Sequence, residues 1–88
     1  MKFTCFDVET ANMWKGSICQ IGITVVENGI ITETKSWLVN PNDSFDFFNV
    51  LIHNITAEMV KDSPSIKELW AELYFIKKML FLQVRCLQ

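Results

Sequence analysis

The sequence predicts an α/β fold: three strands in an antiparallel meander, then a helix on one face, with the chain beyond the helix able to return as a fourth strand parallel to the first. Three observations carry this. An apolar run opens the chain at residues 2–8. Asn28-Gly29 sits between two runs of strand character. From Ser63 onward the apolar spacing changes from every second residue to the helical three-and-four.

The first strand, residues 2–8, is apolar on both sides, as a strand with neighbours on both edges should be. Residues 10–16 read as a loop. In the second strand, residues 18–27, Cys19, Ile21, Ile23 and Val25 alternate on one face. Asn28-Gly29 suits a two-residue type I′ turn, because both positions accept positive φ. The third strand, residues 30–39, then returns with Val26 facing Ile31 and Val25 facing Thr32. Asn40-Pro41-Asn42-Asp43 ends it with turn chemistry. Residues 45–54 are apolar without a clear period and read as a loop with one helical turn. Thr56 can cap a short helix reaching about Lys61. Ser65 and Glu68 have capping-box spacing behind Pro64, a good first-turn proline. Ile66, Leu69, Trp70, Leu73, Ile76 and Leu80 then form one stripe. Residues 79–84 either end this helix or begin the fourth strand.

Composition narrows the class. Half of the 88 residues are apolar, so the chain forms a core and is not disordered. Net charge is −2, which provides no basic footprint for nucleic acid; such contact would need a local patch or metal ions. Three cysteines, Cys5, Cys19 and Cys86, lack the count and spacing of a disulfide framework or zinc site and read as core thiols. No basic-then-apolar leader opens the chain, and no run approaches the ~18 apolar residues of a membrane span, so a cytoplasmic location is expected.

Asp7 and Glu9 interrupt the first apolar run. Residues i and i+2 of a strand project to the same face with Cα atoms roughly 6.5–7 Å apart, so the two carboxylates stand together. Two acids on a buried strand need a cationic neighbour. A divalent ion turns their repulsion into shared ligation, and hard oxygen donors suit Mg²⁺ or Mn²⁺ better than zinc.

Further segments follow in a telling order. Phe6-Asp7-Val8-Glu9-Thr10-Ala11 lies on the first strand and Ser17-Ile18-Cys19-Gln20-Ile21-Gly22 opens the second. Val39-Asn40-Pro41 ends the third. His53-Asn54-Ile55-Thr56 and then Ser63-Pro64-Ser65-Ile66 follow. Over about residues 2–76 this set resembles the DEDD-type 3′–5′ exonucleases (DEDDh branch) of the ribonuclease H-like superfamily, most of all the proofreading epsilon subunits of bacterial DNA polymerase III. The fold implied is the N-terminal portion of a ribonuclease H-like domain.

That resemblance implies two-metal hydrolysis of terminal nucleotides of DNA or RNA, with Asp7 and Glu9 as catalytic residues and metal ligands. It implies a nucleic-acid 3′ end as substrate and a polymerase partner for the parent protein. Thr10 and Ala11, followed by Asn12, would border the terminal nucleotide with their backbone amides. His53 matches the family's His-x-Ile segment and so a substrate-side contact; a structural or solvated loop role, or general-base work, stays open to it. Trp14 could stack on a base or cover the core, and Trp37 and Trp70 read as core. The family's second acidic segment should fall near residues 83–90, where Gln83-Val84-Arg85-Cys86-Leu87-Gln88 holds no acid. The chain therefore reads as one truncated domain, residues 1–76 family-like and 77–88 divergent, with weak metal binding and little or no activity of its own. A non-catalytic module that binds nucleic acid or protein is the alternative. An uncovered sheet edge and helix stripe predict a homo-oligomer.

Overall fold

A computed structural model describes residues 1–69 and, as backbone, residues 84–87. It contains β1 (Lys2–Thr10), β2 (Ile18–Glu27), β3 (Ile30–Leu38), α1 (Phe47–His53), α2 (Ala57–Val60), α3 (Ile66–Leu69) and β4 (Val84–Leu87). The strands form one sheet in the order β3-β2-β1-β4. β1 pairs antiparallel with β2 and β2 with β3, whereas β4 runs parallel to β1, from Phe3↔Val84 to Phe6↔Leu87. The apolar first strand thus has neighbours on both edges, and the fourth strand takes the expected direction.

The hairpin between β2 and β3 turns on Asn28 and Gly29, with φ of 52° and 80°. Asn28 also closes over the chain start: its side chain accepts from the Met1 amino group at 2.6 Å, and its backbone N–H donates to the Met1 carbonyl at 2.8 Å. Val26 faces Ile31 as the two-residue turn requires. One step on, the register departs from expectation: Val25 faces Glu33, not Thr32. Thr32 is the extra residue of a β-bulge, and its hydroxyl donates to the Val25 carbonyl at 3.4 Å.

Cys19, Ile21, Ile23 and Val25 are all buried, as their alternation predicts. Ile21, Val39 and Leu69 form one apolar cluster, against which Phe6, Val8, Ile18 and Trp37 pack. Cys19, Ile55 and Val60 form a second, flanked by Leu38 and Phe45. Trp37 thus reaches the core edge, but Trp14 does not cover the core: it is 71% exposed. Its indole lies over Gly16, where a Cβ would come within 2.5 Å of the ring nitrogen.

Residues 45–54 hold more order than a loop with one turn. Asp46 caps α1 by accepting from the Phe48 N–H at 2.8 Å, and Asn54 ends it in the left-handed region at φ 61°. Thr56 caps α2, as its position predicts. At α3 the capping box closes both ways: Ser65 N–H donates to Glu68 Oε1 at 3.0 Å, and Glu68 N–H to Ser65 Oγ at 3.2 Å. Leu69 of the predicted stripe is buried and Ile66 stays exposed. Trp70, Leu73, Ile76 and Leu80 lie outside the described residues.

Candidate active site

The last residues of β1 hold the site. In antiparallel pairs, residues directly opposite share a face. Thr4, Phe6 and Val8 therefore share the face of Val25, Ile23 and Ile21, the buried row of β2. Asp7 and Glu9 fall on the other face, opposite Gly22 and Gln20. Both acids are half-buried. A Cβ at Gly22 would meet Asp7 Cβ at 3.9 Å, so glycine there leaves the flank of the Asp7 side chain open on the β2 side. The two carboxylates share a face with space beside one of them, which fits a hard divalent ion. Among the described residues, no group of three His, Cys, Asp or Glu side chains gathers to complete a metal site.

Beyond Glu9 the register shifts and the chain leaves the sheet through Thr10 and Ala11. This exit is held from three sides. Ala11 is fully buried; its N–H donates to the Ser17 carbonyl at 2.8 Å, and its carbonyl accepts from Asp46 N–H at 2.7 Å. The Asn12 N–H donates to Ser17 Oγ at 3.1 Å, and the Asn12 side chain donates to the Ser44 carbonyl at 2.7 Å. The amides of Ala11 and Asn12 thus point inward to Ser17. From α1, Asn49 Nδ2 donates to the Thr10 carbonyl at 3.0 Å and approaches the Asn12 carbonyl at 3.3 Å.

One helical turn later, His53 faces the same place. Its Nδ1 accepts the Ile55 N–H at 3.0 Å, so in the neutral ring the proton is on Nε2, which donates to the Thr10 carbonyl at 2.9 Å. Both ring nitrogens are engaged by backbone. This geometry makes His53 a tie between α1 and the end of β1. Cys19 Sγ lies 3.9 Å from the same Nε2. Burial first, and then the negative charge of Glu9, push the Cys19 thiol up.

The fold therefore gathers Thr10 and His53 with Cys19 and Asn49 at the exit of β1, with Glu9 and Asp7 just before it along the strand. Sequence reasoning missed Asn49, Asp46 and Ser17. Asp46 carried a signal, an N-cap residue before an apolar run. Asn49 carried none, since its partners lie 37 and 39 residues away.

Helix α1 is two-sided for the same reason. Asn49 and His53, at i and i+4, turn inward. Phe47, Phe48, Leu51 and Ile52 turn outward and are 59–80% exposed, with the two phenylalanine rings edge to face at 5.9 Å. An apolar ridge thus flanks the exit of β1.

The inner strand of a mixed sheet thus ends in two same-face carboxylates, and comparison with known proteins gives the chain its family. The RNase T family model, described as "Exonuclease", matches residues 4–84, and the chain belongs to that family of 3′–5′ exonucleases. The match runs past residue 76, where the motif likeness fades. Over 76 residues the chain is 36% identical to the 3′-5′ exonuclease DinG of Bacillus subtilis (strain 168), covering 83% of this chain and 8% of that protein. It superposes on Exonuclease X, solved in complex with 5′ overhanging duplex DNA, with a TM-score of 0.72 and 32% identity; the match covers 82% of this chain and 43% of the other. A full-length 3′-exonuclease shares the fold at a TM-score of 0.68 and 17% identity, over 89% of this chain and 39% of that one. The chain thus spans less than half the length of each.

Proposed function

We propose that this chain supplies the first two metal-binding carboxylates, Asp7 and Glu9, of a 3′–5′ exonuclease site that removes terminal nucleotides from DNA or RNA. The observation that carries this is their placement on one sheet face beside Gly22, opposite the buried Ile21, Ile23 and Val25 row, in a chain of the exonuclease family. The ordered motifs keep the likeness to the epsilon proofreading branch. Asp7 and Glu9 would hold Mg²⁺ or Mn²⁺ there, and the ions would supply water activation and charge stabilisation at the leaving 3′ oxygen. Thr10 and Asn12, anchored through the buried Ala11, border the terminal nucleotide. Trp14 and the α1 ridge offer exposed aromatic surface on which bases stack. With a net charge of −2, the metal ions also provide the attraction for phosphate that the chain lacks.

Two carboxylates cannot hold two divalent ions tightly in water. The 88-residue chain is accordingly expected to bind Mn²⁺ with a dissociation constant of about 1 mM and to hydrolyse little on its own. Water-proton relaxation during a Mn²⁺ titration, with a 3′-labelled single-stranded oligonucleotide present or absent, tests the reading. Binding should be lost in Asp7→Asn and strengthened by the oligonucleotide, whose phosphates complete the coordination. Unchanged Mn²⁺ binding in Asp7→Asn would remove the assignment. Oligonucleotide binding indifferent to metal would favour a non-catalytic module, a reading supported by the lack of a third gathered ligand among the described residues.

A further inference from the structure

Strand β3 borders the sheet, and among the described residues nothing pairs with its outer edge. Residues 30–36 are exposed on both faces, including Ile30 at 67% and Ile31 at 64%. Such an edge, long and partly apolar, is a template for another strand. The pattern along it says which one. Glu33-Thr34-Lys35 reads as an acid and a base placed symmetrically about a threonine, and the Lys35 ammonium already lies 3.3 Å from the Glu33 carboxylate.

We propose that β3 pairs antiparallel with β3 of a second copy of this chain, on a two-fold axis through Thr34, each Glu33 facing the partner's Lys35. The reading goes beyond the nuclease assignment and does not depend on it. A two-fold axis perpendicular to a sheet must pass through a residue pair, because a half-step would set side chains of opposite faces against each other. Four centres, residues 33–36, are then available on the exposed stretch beyond the Thr32 bulge. An axis through Glu33 or Lys35 sets like charges face to face, which is destabilising. An axis through Ser36 leaves both charges without an opposite. Only Thr34 gives two opposite-charge pairs on either side of a central Thr–Thr pair, all favourable cross-strand combinations. It also brings the exposed Ile30-Ile31 end of one strand beside the Trp37-Leu38 end of the other. Such a contact is isologous and closes as a dimer rather than growing into a fibre. Asp7 and Glu9, two strands inward, stay uncovered.

Sedimentation equilibrium of the 88-residue chain tests this. A contact made by one strand edge is small, so a dissociation constant of about 10–100 µM is expected. E33K and K35E should each weaken the dimer at least about tenfold, because each sets like charges across the axis. An equimolar mixture of the two variants should associate to within about threefold of the unmodified chain, since one variant's strand is then all basic and the other's all acidic. That rescue is intermolecular and cannot arise from repairing a contact within one chain. A monomer up to about 500 µM, single variants that dimerise like the unmodified chain, or a mixture no tighter than its components would each overturn the proposal.

Discussion

His53 and Cys19 show how one buried side chain couples the site to stability. His53 joins two backbone groups 43 and two residues away, Thr10 and Ile55. Removing it leaves the Ile55 N–H without its partner, which costs about 1–3 kcal/mol, while the Thr10 carbonyl keeps Asn49 Nδ2. His53→Ala should lower the unfolding free energy by that amount in urea denaturation, and an amide at this position should recover part of it by accepting from the Ile55 N–H. Cys19 predicts a pH effect. Its folded thiol is raised above its unfolded value, first by burial and then by Glu9. Its contribution to stability is therefore fully present below about pH 8.5 and lost as pH rises through the folded value, because the unfolded thiol ionises first. Comparing Cys19→Ala with the unmodified chain at neutral and alkaline pH should show the difference in stability shrinking on the alkaline side.

Among the elements, the turn and the capping box are the most directly testable. Gly29 sits at φ 80°, where a Cβ costs about 1–2 kcal/mol, so Gly29→Val should destabilise by that order and loosen the hairpin. At α3, the Ser65 N–H and hydroxyl hold the Glu68 carboxyl below its usual range. The box therefore contributes above the unfolded carboxyl pKa and is lost as pH falls through the lowered folded value. Ser65→Ala should cost about 1 kcal/mol near neutral pH and flatten this acid-side dependence in thermal melts. Both elements were legible: Asn28-Gly29 and Ser65-x-x-Glu68 are local, and their partners lie within a few residues. The α1 helix was not, because its stability comes from Asn49 and His53 reaching β1, a contact absent from any local period.

For the molecule as a whole, Asp7 and Glu9 place two like charges on one half-buried face. Without metal, Asp7→Asn should leave the melting temperature unchanged or raise it. With Mn²⁺ at ten times its dissociation constant, the unmodified chain should gain about 1.4 kcal/mol and Asp7→Asn nothing, as read by thermal melts with and without the ion. No helix among the described residues is long and apolar enough to cross a membrane.

The amino-acid order by itself determined the strand sequence, the hairpin, the caps at Thr56 and Ser65, and the pairing of Asp7 with Glu9 on one face. All of these follow from periods of two or 3.6 and from hydrogen bonds between near neighbours. Tertiary structure alone decided that Thr32 bulges, that His53 ties Thr10, and that Asn49 holds the exit of β1. Each depends on which segments meet across tens of residues, and that is settled by packing and by the need to pair buried backbone groups.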